Sequence, residues 1–109
     1  MGYGHTFEGR SGRYYSYALV GTKAADCLLL PWQGGCYIFA KNATAPIPVN
    51  VGECHSFRGS LGNAQLWGAA QSQHDANLLY IHAMGDERTR QAELIDLVSK
   101  YDPPMNREK

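Results

Sequence analysis

Cysteine and histidine are the residue types that most readily serve as metal ligands, redox groups, nucleophiles or bases. Their spacing in this chain argues against a site built on them. Cys27, Cys36 and Cys54 include no C-x-x-C pair, so the sequence predicts neither a zinc knuckle nor a redox motif. Cys54 and His55 are adjacent, and adjacent side chains in an extended segment point apart, which disfavours a nucleophile–base pair. We therefore expect three reduced thiols in a cytoplasmic protein.

Two other groups of residues have both a chemical and a structural interpretation. His55 follows Glu53 by two positions, so the pair either approaches a common site or is exposed in a loop. The tyrosines at 14, 15 and 17 have rings that stack on nucleic-acid bases, but strand tyrosines are commonly half-buried with their hydroxyls at the rim. The sequence leaves both alternatives open.

The charge balance argues against a surface dedicated to phosphate backbones. Ten Lys and Arg residues are balanced by ten Asp and Glu residues, giving a formal net charge of zero, whereas phosphate-binding proteins usually carry a positive excess. The length of 109 residues predicts a single domain over residues 1–109. There is no apolar run of membrane-spanning length and no secretory pattern at the N-terminus, so a cytoplasmic location without a membrane partner is expected.

The hydrophobic pattern predicts an α+β domain with an N-terminal β-hairpin at about residues 5–20 and a core over about residues 34–106. We expect a small mixed central β-sheet flanked by helices. An apolar segment at 26–30 is short and ends at Pro31, which cannot continue a central strand. The remaining predicted elements are strands at 36–40, 49–51 and 76–84 and helices at 56–62, 63–73 and 87–101.

This order of elements, together with three local patterns, resembles the GIY-YIG endonuclease family in its small bacterial single-domain form. Gly35-Cys36-Tyr37 is similar to the family's first triplet. Asn50-Val51-Gly52, followed by Glu53, stands where the second triplet belongs. The segment 94–106 resembles the terminal helix and its Pro-Pro-x-Asn ending, and the resemblance covers roughly residues 5–107.

The resemblance implies hydrolysis of a DNA phosphodiester with one divalent metal ion, magnesium or manganese. In the family, a tyrosine of the first triplet helps to activate the attacking water, and an arginine on the following helix steadies the phosphate. A glutamate on the last helix holds the metal, and a late asparagine braces the site. These groups supply what the reaction needs, which is an activated water, a Lewis acid and positive charge where anionic charge grows.

Half of the family positions are substituted in this chain. The positions that keep the family residue are Tyr37, Gly52 and Asn106. The second tyrosine is replaced by Asn50, the arginine by Ser60 and the metal-binding glutamate by Leu94. Serine brings no positive charge to a phosphate, and leucine cannot bind a hard cation, which prefers oxygen ligands. Loss of one transition-state charge contact alone lowers a rate about 100- to 1,000-fold.

Neighbouring residues are candidates to replace the lost groups. Arg58 lies two positions before Ser60, about 200° away around a helix, and is otherwise a solvated surface arginine. Glu93 directly precedes Leu94 and is the candidate metal ligand, or else a surface carboxylate. The candidate catalytic residues are Tyr37, Arg58, His55 and Asn106.

Two functional hypotheses follow. The first is a GIY-YIG-like domain with a degraded nuclease site, retained for binding nucleic acid or protein. The second is an active metal-dependent DNA endonuclease that uses Tyr37, Glu93 and either Arg58 or His55. A Glu93 carboxylate that opens into the same cleft as Tyr37 favours the second hypothesis, and a Glu93 in bulk water with Leu94 in the core favours the first.

Overall fold

The computed structural model describes residues 4–42 and 45–107. The strands in this part of the chain are β1 (Gly4–Glu8), β2 (Tyr14–Gly21), β3 (Gly35–Lys41), β4 (Ile47–Cys54) and β5 (Leu78–Ala83). The helices are α1 (Phe57–Leu61), α2 (Gln65–His74), α3 (Glu87–Tyr101) and α4 (Pro104–Arg107), preceded by a short 3-10 helix at Ala24–Leu29. The apolar segment that ends at Pro31 is thus helical rather than extended.

The strands form one sheet in the order β1-β2-β5-β3-β4. The predicted α+β class and N-terminal hairpin are confirmed, but the expectation of a mixed sheet is wrong. Every strand pairing within the described residues is antiparallel. Helices α1 and α2 connect β4 to β5, but these two strands do not pair with each other. Strand β3 lies between them and runs antiparallel to both.

The two faces of the sheet are covered by different helices, because alternate strand residues point to opposite faces. On one side, called here the α2 face, Phe39 packs with Trp67 of α2 and Phe57 of α1. On the other side, called here the α3 face, Cys36 and Ile38 pack with residues that include Leu97 of α3. Tyr37 and Cys36, although adjacent in the chain, therefore belong to opposite faces.

Helix α3 begins and ends where the sequence predicts. Asp86 caps its N-terminus by accepting a hydrogen bond from the backbone N–H of Thr89. Asp102 ends it in the left-handed region, at a φ of 46°, immediately before Pro103. No helix in the described ranges is long and apolar enough to cross a membrane.

Helix α3 turns most of its apolar residues, and two charged ones, toward the sheet. Leu97 is buried together with Arg90 and Glu93, whereas Ile95 is 65% exposed. The other apolar residues that pack against the same core are Leu94, Val98 and Tyr101. Arg90, Glu93 and Leu97 follow the i, i+3, i+7 spacing of one helix face. The helix thus turns two charged side chains toward the sheet, and each has polar partners there.

Candidate functional site

A cleft with a volume of about 460 Å³ lies at the β4 edge of the sheet, between that strand and the helices that follow it. We call it the Tyr37 cleft. Its lining residues come from strands β3 and β4 and from helices α2, α3 and α4: Tyr37, Asn50, Val51, Gly52, Glu53, Leu66, Leu94, Met105 and Asn106. The residues that keep the family's identity, Tyr37, Gly52 and Asn106, thus meet in one place.

Gly52 determines where the Tyr37 side chain lies. The two residues are paired across β3 and β4, and a Cβ at position 52 would overlap the phenol ring of Tyr37. The ring therefore lies directly over the backbone of β4, in the space that any other residue at 52 would fill. This close approach is the physical reason for a glycine at this position.

Asn106 connects the C-terminal helix to the edge strand. Its side-chain oxygen accepts a hydrogen bond from the backbone N–H of Val51, and its side-chain nitrogen donates to the Val51 carbonyl, both at 2.8 Å. The amide therefore pairs with β4 as a neighbouring strand would. This bracing occupies both ends of the Asn106 amide and shapes one wall of the cleft.

The environment of Tyr37 keeps its hydroxyl protonated. Burial, with help from the neighbouring groups of Cys54, Glu53 and Cys36, raises the pKa of Tyr37 to about 12. At neutral pH the cleft thus contains a neutral phenol, which can donate a hydrogen bond. In this environment the phenolate that would act as a base toward water is disfavoured.

Glu53 is the acidic residue of the cleft lining, and it already has a cationic partner. Its Oε1 accepts a hydrogen bond from Nε of Arg90 at 2.9 Å. Arg90 is almost completely buried, and its Nη1 donates to the carbonyls of Met84 and Gly85. His55, a candidate catalytic residue, is exposed at the surface, with Nδ1 lying 3.3 Å from Nη2 of the same arginine. His55 thus lies beside the arginine and outside the cleft lining.

The cleft does not contain a matching set of ligands for the divalent cation that the family resemblance implies. Leu94 lines the wall where that resemblance expects the metal-binding glutamate. Within the described residues, no group of three or more His, Cys, Asp or Glu side chains is arranged to hold a metal ion. Glu53 is paired with Arg90, and the Asn106 amide with Val51, so these oxygen donors are already engaged. Magnesium is held by one or two carboxylates, with water at its other positions, so the pairing of Glu53 with Arg90 and the leucine at 94 leave the described cleft lining without a free carboxylate for it.

Glu93, the candidate metal ligand, is buried on the α3 face and does not join Tyr37. It is 2% exposed and accepts a hydrogen bond from the hydroxyl of Tyr17. Nδ1 of His82 lies 2.9 Å from Oε2 and 3.1 Å from Oε1 of the same carboxylate. We call these three residues the Glu93 cluster. Neither expected arrangement is observed, because Glu93 reaches neither bulk water nor the cleft, and Leu94 lines the cleft.

Arg58 is directed away from the cleft. Its Nε donates to the carbonyl of Leu30 at 2.7 Å, and its guanidinium carbon lies 5.3 Å from the centre of the Trp32 ring. Ser60, the residue at the family's arginine position, lines a separate depression that shares Leu66 with the Tyr37 cleft. Arg58 is thus held beside a different surface and does not take the place of the missing arginine.

Sequence reasoning missed the importance of Asn50, Glu53 and Arg90. The sequence pattern presents Asn50 only as the replacement for a tyrosine, yet this residue lines the cleft and is only 8% exposed. A signal for Arg90 was present in its spacing of three and seven residues from Glu93 and Leu97, which places a charge on the inward face of α3. No local pattern indicated that Arg90 pairs with Glu53, which is 37 residues earlier.

Comparison with solved structures gives crystal structures of the GIY-YIG N-terminal endonuclease domain of UvrC from Thermotoga maritima. The magnesium-bound form has a TM-score of 0.58 at 25% identity, covering 72% of this chain and 88% of that domain. Two tyrosine-to-phenylalanine variants of the same domain, bound to the catalytic divalent cation, match at 27% identity with the same TM-score. No protein-family model and no curated protein matches the sequence. The structural matches confirm the resemblance to the GIY-YIG family.

Proposed function

From the premise that this chain has the fold of the GIY-YIG endonuclease domain, we propose that it is a nuclease-like domain with a degraded catalytic site, which binds a protein through the Tyr37 cleft. The observation that carries the proposal is the wall contributed by α3. Leu94 lines the cleft, while the neighbouring carboxylate of Glu93 is buried beneath α3 with Tyr17 and His82. A metal-dependent hydrolysis needs a free carboxylate beside Tyr37 to hold the cation, and Glu93 does not supply one.

The charges of the cleft favour a protein partner over DNA. Its lining contains the carboxylate of Glu53 and no lysine, arginine or histidine among the described residues. Arg90 approaches from behind Glu53, and its donors are engaged by Glu53, by backbone carbonyls and by His55. A phosphate backbone needs available cationic donors, whereas a polypeptide segment does not.

An active endonuclease remains the second candidate, because Tyr37, Gly52 and Asn106 meet in one cleft. In that case Glu53, and not Glu93, is the carboxylate placed to bind the cation, and it must leave Arg90 to do so. This candidate predicts metal-dependent cutting that requires both Tyr37 and Glu53.

A cleavage assay separates the two candidates. Supercoiled and branched DNA are incubated with the wild type, Tyr37→Phe and Glu53→Gln, each with magnesium or manganese. Glu87→Gln is the matched control, since Glu87 is an exposed carboxylate in the first turn of α3. We expect no cutting by any of these proteins above the level of a mock purification.

Metal-dependent cutting that is retained by Glu87→Gln and lost in both Tyr37→Phe and Glu53→Gln would overturn the degraded-site proposal. Cutting that is equal in all four proteins would come from a contaminant. The choice of partner is tested separately by fluorescence anisotropy with a labelled duplex at low salt. Binding that weakens when cleft residues are changed would favour DNA over protein as the ligand.

A further inference from the structure

Asn50 stands apart from the other buried polar residues. Asn50, Arg90 and Glu93 are the polar or charged side chains that are buried in the described part of the chain. Arg90 and Glu93 have hydrogen-bond partners at the ends of their side chains. The side-chain amide of Asn50 makes no hydrogen bond within residues 4–42 and 45–107, although only 8% of the residue is exposed. Its amide atoms are not fully enclosed, since among the described residues the fully buried side-chain polar atom that lacks a partner is Nε1 of Trp67. An asparagine whose amide stays unpaired beside the cleft nevertheless calls for an explanation.

The position of Asn50 supplies that explanation. It is paired with Phe39 across β3 and β4, two residues before Gly52, and it lines the Tyr37 cleft. Asn106 lines the same cleft, but both ends of its amide are bonded to Val51. One asparagine therefore builds the wall of the cleft, and the other presents a free donor and a free acceptor to whatever enters it.

The rest of the lining defines the chemistry of the ligand. The Tyr37 hydroxyl makes no hydrogen bond within the described residues and is a neutral donor. Glu53 offers its second carboxylate oxygen as an acceptor, since Oε1 is bonded to Arg90. The apolar residues of the lining are Val51, Leu66, Leu94 and Met105. A neutral group with adjacent donor and acceptor suits this lining, because Arg90 is already engaged by Glu53 and no lysine, arginine or histidine of the described lining is available to an anion.

We propose that the Tyr37 cleft binds a neutral side-chain carboxamide of a peptide, with Asn50 as the residue that recognises it. The Asn50 amide pairs with the carboxamide by one donated and one accepted hydrogen bond. The Tyr37 hydroxyl or the second oxygen of Glu53 meets the remaining polar atoms, and aliphatic parts of the peptide lie against Leu94 and Met105. This inference rests on the proposed binding function and adds the chemical class of the ligand. The volume of about 460 Å³ is within the range of pockets that hold small groups.

The test is a titration of ¹⁵N-labelled protein followed by NMR. The probe is N-acetylglutaminamide, and the matched probe is the amide of N-acetylglutamate, which replaces the side-chain carboxamide by a carboxylate. Adenosine and inorganic phosphate represent the nucleobase and phosphate of a nucleic acid. A fragment of about ten heavy atoms binds in the millimolar range at ordinary efficiency, so titration to about 50 mM detects it.

We expect N-acetylglutaminamide to shift the backbone resonances of β4 around Asn50, and the glutamate compound to bind at least about tenfold more weakly. N-acetylalaninamide shows which carboxamide is bound. It keeps the backbone amides and lacks the side-chain carboxamide, so affinity equal to that of the glutamine probe would place binding at the backbone and overturn the proposal, and weaker binding supports a side-chain carboxamide. The proposal is overturned if no carboxamide probe shifts these resonances, if the glutamate compound binds equally, or if adenosine or phosphate binds more tightly.

Two variants separate recognition from folding. Asn50→Leu removes the unpaired amide, so we expect its melting temperature to equal or exceed that of the wild type while affinity for the glutamine probe falls at least about tenfold. Asn50→Asp keeps the size and an acceptor but loses the donor, and it also weakens binding. A lower melting temperature with unchanged affinity for Asn50→Leu would assign Asn50 a purely structural role and sink the inference. Metal-dependent DNA cutting would instead contradict the proposed function itself.

Discussion

The Tyr37 cleft lies at the β4 edge of the sheet and the Glu93 cluster lies beneath α3, and the two differ in how completely their polar groups are paired. In the Glu93 cluster, one buried carboxylate accepts from the Tyr17 hydroxyl and lies within hydrogen-bond distance of His82. In the cleft, the Tyr37 hydroxyl and the Asn50 amide have no partner in the described part of the protein. The cluster is therefore complete without a ligand, and the cleft is not.

The difference shows why residue type is a poor guide to function in this chain. Tyrosine, histidine and glutamate are the residues of acid–base catalysis, yet here they form the packed and paired cluster. The cleft uses asparagine, leucine and methionine beside one tyrosine, which is the composition of a binding surface. Changes in the cluster are accordingly expected to alter stability, and changes in the cleft to alter binding.

The largest expected effect is that of Glu93→Ala. This change leaves the hydroxyl of Tyr17 and the ring of His82 without their acceptor beneath α3, and breaking a buried pair in this way costs about 3 kcal/mol of unfolding free energy. Urea denaturation measures the loss, with Glu87→Ala as an exposed control on the same helix that changes stability by about 0.5 kcal/mol. An unchanged midpoint for Glu93→Ala would show that the cluster is not structural.

Gly52→Ala tests whether the glycine maintains the cleft. The added Cβ overlaps the Tyr37 ring, and forcing the ring aside is expected to cost about 2 kcal/mol, as overpacking does. Gly68→Ala is the matched control, because a Cβ there meets no atom within 4 Å and removing a helical glycine stabilises by about 0.5–1 kcal/mol. Thermal denaturation distinguishes the two. Equal stability of both variants would show that Tyr37 does not occupy the space above Gly52.

Tyr17→Phe removes one hydrogen bond to the buried Glu93 carboxylate and is expected to lower stability by about 1.5 kcal/mol at neutral pH. Tyr80→Phe is the control on the same sheet face, since the Tyr80 hydroxyl makes no hydrogen bond within the described residues. We expect the control to retain wild-type stability in urea. If the two variants are equally stable, the Tyr17–Glu93 bond contributes nothing measurable.

The smallest effect at neutral pH is expected for Tyr37→Phe, because the hydroxyl that it removes has no partner. Its effect appears in alkali. The pKa of Tyr37 is raised from its ordinary value of 10.0 to about 12. As the pH rises through this interval, the unfolded chain releases the proton while the folded chain keeps it, so the folded state loses stability. Stability measured against pH should therefore fall less steeply between about pH 10 and 12 in Tyr37→Phe. A wild-type slope in the variant would contradict the shift.

Much of the local structure could be read from the sequence, because it depends on nearest neighbours along the chain. Asp86 before the helix and Pro103 after it set the bounds of α3, and the pattern of short apolar segments predicted the hairpins. The resemblance to the GIY-YIG family also implied that Tyr37, Gly52 and Asn106 share a site. Neither the directions of the strands nor the helical form of Ala24–Leu29 was predicted correctly, since strand order and packing decide them.

The placement of charged side chains depended on contacts between residues far apart in the chain. Sequence alone determined that Leu94 stands where the family's metal-binding glutamate belongs, and that Ser60 stands where its phosphate-binding arginine belongs. Only the tertiary structure decided that Glu93 does not compensate for them, because the rotation of α3 turns this carboxylate toward Tyr17 and His82. The same rotation brings Arg90 to Glu53, while Asn50 is left facing the cleft without a partner. Burying a charge without a partner is unfavourable, so α3 adopts the rotation in which each of its buried charged side chains has partners. Arg90 pairs with Glu53, and Glu93 pairs with Tyr17 and His82.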